Sequence, residues 1–214
     1  MQISIRKATP KDSKFLSWII LEASHSHLGD SSGLWNLVFP ESEDDRLNYL
    51  EKLILSNHIS FCHFSLYLIA EVDGNPAAAL AGFNPNLVTD ECFINALVDV
   101  LPKPLINPVL GRMAPYATCL IEPDKDSWVI DMVATKPKYR RLGLSKKLLQ
   151  SALQNGVEAG FRKAELLILI GNLAARKAYE SIGFKTVEEK KHPEFEKALN
   201  CPGVAKMTMD NLKV

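Results

Sequence analysis

WVIDMVATKPKYRRLGLSKKLLQSALQNGVEAGFRKAELLILIGNLAARKAYESIGF, residues 128–184, holds four consecutive elements. Trp128 to Thr135 is an apolar strand interrupted by Asp131. Leu144 to Ala159 carries Leu144, Leu148, Leu149, Ala152, Leu153 and Val157 at helical spacing. Ala164 to Ile170, AELLILI, is a strand too apolar for a sheet edge and so expected to be covered on both faces. Asn172 to Ile182 is a second helix, opened by an asparagine cap and ended by Gly183. Strand, helix, strand and helix in this order predict an α/β domain.

Upstream, Gln2 to Lys7 alternates as a strand, and Asp12 or Ser13 caps a helix bearing Phe15, Leu16, Ile19 and Ile20. Residues 24–41 read as a loop with aromatic anchors. Ser42 opens a helix with Glu43 and Asp44 in its first turn and Leu47, Leu50, Leu53 and Ile54 on one face. Phe64 to Glu71 and Pro76 to Phe83 flank Asp73-Gly74, a hairpin signal. Residues 84–126 are proline-rich and less regular, with helical stretches expected at Glu91 to Leu101 and Pro108 to Tyr116. They read as an insertion or lid. Phe184 to Glu188 and Ala205 to Leu212 are two further strands. A hairpin followed by strand–helix repeats implies a mixed sheet in one domain spanning residues 1–214.

Composition narrows the function. The 214 residues are 47% hydrophobic and 23% charged, enough apolar content for a core without disulfide or metal staples. Lys plus Arg and Asp plus Glu are 25 each, so no excess of positive charge favours nucleic acid. Cys62, Cys92, Cys119 and Cys201 form no CxxC pair. The N-terminus lacks a secretory pattern, and no run approaches the ~18 apolar residues of a membrane span. A cytoplasmic protein with reduced thiols is expected.

Two constellations carry chemistry. Tyr139-Arg140-Arg141-Leu142-Gly143-Leu144-Ser145-Lys146 follows a strand and opens a helix. Gly143 lets a ligand approach the backbone, the first helical amides have no internal partners, and the helix dipole adds about +0.5 charge. With three cations nearby, this is a pyrophosphate site in the making. The GxxxxGK[ST] pattern of a nucleotide-hydrolysing loop is absent. In the second, Asn172 caps a helix on which Tyr179 lies almost two turns on, near the same face. Read singly, Asn172 is a plain cap and Tyr179 a packed aromatic.

Together the two resemble the GNAT acetyltransferase superfamily. Arg140, Gly143 and Ser145 match its [RQ]-x-x-G-x-[GA] acetyl-CoA signature, with Ser145 departing from the usual Gly or Ala. Asn172, Ala175, Tyr179, Gly183 and Phe184 match N-x-x-A-x-x-x-Y-x-x-x-G-F, and Thr135, Pro137 and Tyr139 fall on the V-x-P-x-[YF] lead-in, with Thr for Val. The match covers residues 128–185 clearly and 2–83 at the level of fold. It implies a mixed, mostly antiparallel sheet with helices on both faces and a V-shaped splay between two parallel strands. The pantetheine arm of acetyl-CoA would lie in that splay. Backbone groups of Val133, Ala134 and Thr135 would bond the arm and the thioester oxygen. Arg140, Arg141, Leu142, Gly143, Leu144, Ser145 and Lys146 would hold the pyrophosphate. Asn172 and Ala175 would flank the arm, and Tyr179 would be the acid for the leaving thiolate.

The resemblance further implies direct transfer to an amine acceptor in a ternary complex, by a monomer or homodimer acting without nucleic acid, membrane or metal. No cysteine falls within either motif to carry an acetyl group. An alkylammonium must lose a proton before it attacks, at a cost of ~4.6 kcal/mol at pH 7. Asp131 is the one carboxylate on its strand, and simple alternation puts it on the side of Val129, Val133 and Thr135. It is the candidate base. Two other readings compete: a non-catalytic acyl-CoA-binding module, and a serine hydrolase with Ser31 in Gly29-Asp30-Ser31-Ser32-Gly33, a G-x-S-x-G match. That elbow needs a strand before it, and the sequence offers a helix. His25 and His27 lack further metal ligands nearby, and Trp35 reads as a packing anchor.

Overall fold

The computed structural model describes residues 1–25 and 33–212. Strand β1 (Ile3–Lys7) leads to helix α1 (Ser13–Ala23), short helix α2 (Leu34–Val38) and α3 (Glu43–Ile54). The hairpin β2 (Tyr67–Val72) and β3 (Asn75–Phe83) turns at Asp73 and Gly74, both at positive φ as a tight two-residue turn requires. Next come α4 (Asp90–Val100), α5 (Lys103–Ala117), β4 (Ser127–Thr135), α6 (Leu144–Glu158), β5 (Lys163–Leu169) and α7 (Leu173–Glu180). Strand β6 (Lys185–Lys191), α8 (Pro193–Leu199) and β7 (Gly203–Asp210) end the described chain.

The strands form one sheet in the order β1-β2-β3-β4-β5-β7-β6. Only the central β4–β5 pair is parallel. The mixed, mostly antiparallel sheet expected from the sequence is thus present, with helices on both faces. On one face, α1 to α4 pack Leu16, Ile20, Trp35, Leu53 and Phe93 against Ile69, Ala79, Ala81 and Ala134. On the other, Leu144, Leu148, Leu149, Ala152 and Val157 of α6 cover Ala70, Ala78, Leu80 and Ile130. Gly156 sits in the middle of α6 because the Trp128 ring lies against it: a Cβ there would fall 2.7 Å from the ring.

Several boundaries differ from the expectation. Helix α2 lies inside the stretch read as a loop, and α8 was not expected. Each offers only two or three apolar anchors, too few for a helical period to register, and each is held by tertiary burial of Trp35 or Phe195. Helix α5 starts before the predicted Pro108 and runs through both Pro108 and Pro115. Its Val109 is buried and Leu110, Met113 and Tyr116 pack on the α1 face of the sheet, which offsets the lost backbone bonds. Phe64 to Leu66 form a 3₁₀ turn rather than the start of β2. All four cysteines are free thiols. Among the described residues no helix is long and apolar enough to cross a membrane.

Candidate active site

Strands β4 and β5 pair at only three positions: Ser127 with Lys163, Trp128 with Ala164, and Val129 with Glu165. Beyond Val129 they part, and the edge of β4 that faces β5 has no strand partner. The cause lies in β4 itself. Ala79 of β3 pairs with Ala134 and Ala81 with Asp131, so β4 carries one extra residue there. Met132 takes φ 51°, and its amide donates to Asp131 Oδ1 at 2.8 Å. A bulge of this kind bends its strand and sharpens the twist, which swings β4 away from β5. The gap opens into a cavity of about 1220 Å³.

The bulge also corrects the alternation expected from the sequence. Val129 and Met132 pack on the α1 face, whereas Val133 packs on the α6 face. Thr135 follows Val133: its Oγ1 lies 3.1 Å from Ser145 Oγ of α6. Asp131 therefore does not share a side with Val133 and Thr135. Its charge is felt instead by Cys62, Tyr67, Tyr116 and Tyr179.

At one end of the cavity is the tip of α6. Gly143 (φ 73°) caps the helix and Arg141 (φ 65°) precedes it in the same left-handed region. Among the described residues no backbone carbonyl accepts from the amides of residues 141–146. A Cβ at Gly143 would meet nothing within 4 Å, so the tip faces open space. Leu144 is buried in the core, and Leu142 packs beside it, so these two offer backbone rather than side chains. Arg141 and Lys146 are exposed and in no ion pair among the described residues. Arg140 is committed elsewhere: its guanidinium donates to Glu22 at 2.8 Å and to the Thr135 carbonyl at 3.3 Å. Ser145 keeps its hydroxyl against Thr135.

Helix α7 supplies the opposite wall. Asn172 Oδ1 accepts from the Ala175 amide at 3.1 Å, a true cap, and its NH2 group has no acceptor among the described residues. Ala175 and Tyr179 line the cavity with it. The Tyr179 ring packs edge-on to Phe184, 6.1 Å between centroids. Its hydroxyl has no partner among the described residues, and burial, helped by the Asp131 charge, holds its pKa well above the ordinary tyrosine value. Among the described residues Asp131 has no cation paired with it. Burial pushes its pKa up to about 6, only partly offset by the Met132 amide. The carboxyl and the phenol thus reach one gap from opposite faces of the sheet.

The residues 84–126 do more than loop over the surface. Phe93 of α4 and Leu110, Met113 and Tyr116 of α5 line the cavity beside Phe61 and Phe83. None of these is in a local motif, and neither is Glu22, which meets Arg140 across 118 residues. Only the spacing of Leu110, Met113 and Tyr116 hinted at a shared face. Trp35 is fully buried, stacked on Phe39 at 6.0 Å, as a packing anchor should be. His25 Nδ1 is 3.7 Å from the Glu22 carboxylate. Among the described residues no cluster could hold a metal ion. His27 and the Ser31 elbow lie outside the described residues. The element before that elbow is α1, a helix where a hydrolase needs a strand. Contrary to the sequence reading, a helix, α2, does follow it.

A parted parallel strand pair with an unpaired helix tip at its mouth defines a class of acyl-group transferases. The chain belongs to the acetyltransferase (GNAT) family, whose model matches residues 32–184. It is an acetyltransferase. Among solved structures, an N-acetyltransferase from Staphylococcus aureus Mu50 superposes with a TM-score of 0.69 at 19% identity, covering 96% of this chain and 100% of that one. The ribosomal-protein-S18-alanine N-acetyltransferase of Escherichia coli gives 0.54 at 16% identity, with 100% and 96% covered. N-acetylglutamate synthase from Neisseria gonorrhoeae, complexed with coenzyme A and N-acetyl-glutamate, gives 0.53 at 16% identity, over 100% of this chain and 36% of that one. At these identities the likeness is one of fold. No curated protein sequence matches the chain.

Proposed function

We propose that the protein is an acetyl-CoA-dependent N-acetyltransferase that moves the acetyl group directly to an amine in a ternary complex. The observation that carries the reading is the parting of β4 and β5 after Val129, with the α6 tip open at its mouth. The donor arm lies in the gap, held by the free edge of β4 at Val133, Ala134 and Thr135. The pyrophosphate takes the unpartnered amides of residues 141–146 and the charges of Arg141 and Lys146. Arg140 joins them to the extent that Glu22 releases it. Asn172 uses its free NH2 toward the arm. The whole chain acts as one acetyltransferase domain, with residues 84–126 forming the acceptor wall, and works in the cytoplasm, where acetyl-CoA is made available and thiols stay reduced.

Acetyl-CoA supplies a thioester whose carbonyl oxygen gains charge as the amine attacks. An amide on the β4 edge stabilises that charge where it develops. Asp131 takes the amine proton. With its pKa at about 6 rather than the ordinary 3.8, its mismatch with an alkylammonium narrows by ~3 kcal/mol. Tyr179 donates to sulfur. Its raised pKa keeps it protonated throughout the working range, so it acts as a hydrogen-bond donor until the C–S bond breaks, and then yields its proton to the thiolate. The amine nitrogen gains the acetyl carbon and sulfur leaves with the bonding pair. Of the two protons that the ammonium sheds, Asp131 takes the first, and the second reaches the thiolate by way of Tyr179, which gives its own proton to sulfur as it regains one from nitrogen.

The test is a thermal-shift titration with acetyl-CoA followed by thiol release over an amine panel. A shift together with amine-dependent release is expected. No shift refutes the acetyl-CoA site, whereas a shift without release on a broad panel points to a binding module.

A further inference from the structure

The acceptor side of the cavity differs chemically from the donor side. Its walls are Phe61, Phe83, Phe93, Leu110, Met113 and Tyr116. Phe61 and Phe93 pack tilted, 4.7 Å between centroids, and Trp35 backs Phe93 edge-on at 6.3 Å, so the wall is a continuous aromatic surface. Among the described residues, the lysines and arginines that line the cavity are Arg140, Arg141 and Lys146, all on the α6 turn. Residues 26–32 contain neither lysine nor arginine. Among the described residues, the acids lining the cavity are Glu22, Asp90, Asp131 and Glu165. Arg140 neutralises Glu22, and Lys206 and the Asp124 amide satisfy Glu165. Asp90 is exposed at the first turn of α4. Asp131 alone sits inside, uncompensated, on the same face of the sheet as the aromatic wall.

We infer that the acceptor is a primary amine on a short aromatic or apolar arm, with no carboxylate or phosphate of its own. This deepens the function proposed above and rests on it. The ammonium end is drawn to Asp131, which among the described residues is the unpaired carboxylate set inside the lobe rather than at its exposed rim, and the arm packs on the Phe61–Phe93 wall. An acceptor carrying an anion would have to bury it with no lysine or arginine of the described lobe in reach and with Asp131 repelling it. Amino acids are disfavoured by this exclusion, and long polyamines by the apolar wall, which offers their second charge no partner.

A matched pair of acceptors isolates the exclusion: phenethylamine and phenylalanine share a skeleton and differ by one carboxylate. With the full chain and acetyl-CoA, kcat/KM by thiol release should favour phenethylamine by about a hundredfold or more, the discrimination expected when an unpaired carboxylate is desolvated. It should also exceed that for spermidine. Met113→Lys places a cation in the lobe and should cut the pair's ratio at least about tenfold, while the acetyl-CoA thermal shift persists. The wild-type ratio carries the test even if that variant does not fold. A ratio below about threefold, or better turnover of spermidine or an amino acid, overturns the acceptor class and leaves the acetyltransferase reading intact. Acetyl-CoA binding with no turnover of any amine also overturns it. Loss of both binding and transfer overturns the two together.

Discussion

Asp131 is a charge held at a cost to the fold. Burial raises its pKa from the ordinary 3.8 to about 6, so folding favours its neutral form relative to the unfolded chain. The stability this preference brings is full below pH ~4 and is lost as pH rises through ~6, leaving the ionised group roughly 3 kcal/mol less favourable near neutrality. Asp131→Asn should therefore raise Tm at pH 8 by about 6–12 °C and change it little at pH 4. The same variant should lower kcat at least about a hundredfold and erase the acid limb near pH 6 in kcat/KM. A limb that stays in place would assign the base to another group. Tyr179 has the opposite character. Its hydroxyl has no partner among the described residues, so Tyr179→Phe should leave Tm unmoved. Its loss should appear in kcat alone, by about 10² to 10⁴, with KM for acetyl-CoA within about threefold. A fall in Tm without a fall in kcat would make Tyr179 a packing residue.

Two backbone devices set the site at the level of elements: the bulge in β4 and the left-handed cap of α6. Gly143 needs no Cβ at φ 73°, and the space beside it is open. Gly143→Val strains that turn by about 1–2 kcal/mol and puts a branched side chain where a pyrophosphate would approach. KM for acetyl-CoA should rise more than about tenfold, while kcat/KM for S-acetylpantetheine, which lacks the pyrophosphate, should change less than about threefold. Equal losses on both donors would place the damage in the fold instead. The cap was legible because a glycine between strand and helix is a local signal. The bulge was not: Asp131-Met132-Val133 contains no glycine or proline, and Met132 adopts a positive φ for which nothing in its side chain prepares the reader. One hidden extra residue was enough to reverse Val133 and Thr135. The acceptor wall was equally hidden, because Phe61, Phe93 and Met113 come from three separate segments that only tertiary packing brings together.

Across the whole molecule, the sheet gives up strand pairing at its centre, where pairing is usually most complete. Among the described residues, β4 has no strand partner on its β5 side from Ile130 onward, and the α6 tip leaves six consecutive amides without backbone acceptors. A ligand that fills the gap supplies partners the folded chain lacks and the unfolded chain cannot use, so its binding must appear as stability. At acetyl-CoA a hundred times above its Kd, the gain is ~2.7 kcal/mol, or about 5–10 °C in Tm for a chain of this size. The location of the gain is the sharper expectation. Hydrogen exchange should slow on acetyl-CoA binding at residues 130–135 of β4 and 141–146 of the α6 tip. The Asp73–Gly74 hairpin, already bonded and remote from the gap, should exchange as before. Protection spread evenly over the sheet would mean that the ligand tightens the fold as a whole. Protection confined to the two unpaired stretches would mean that the opening between β4 and β5 is the seat of the donor, as the bulge that creates it requires.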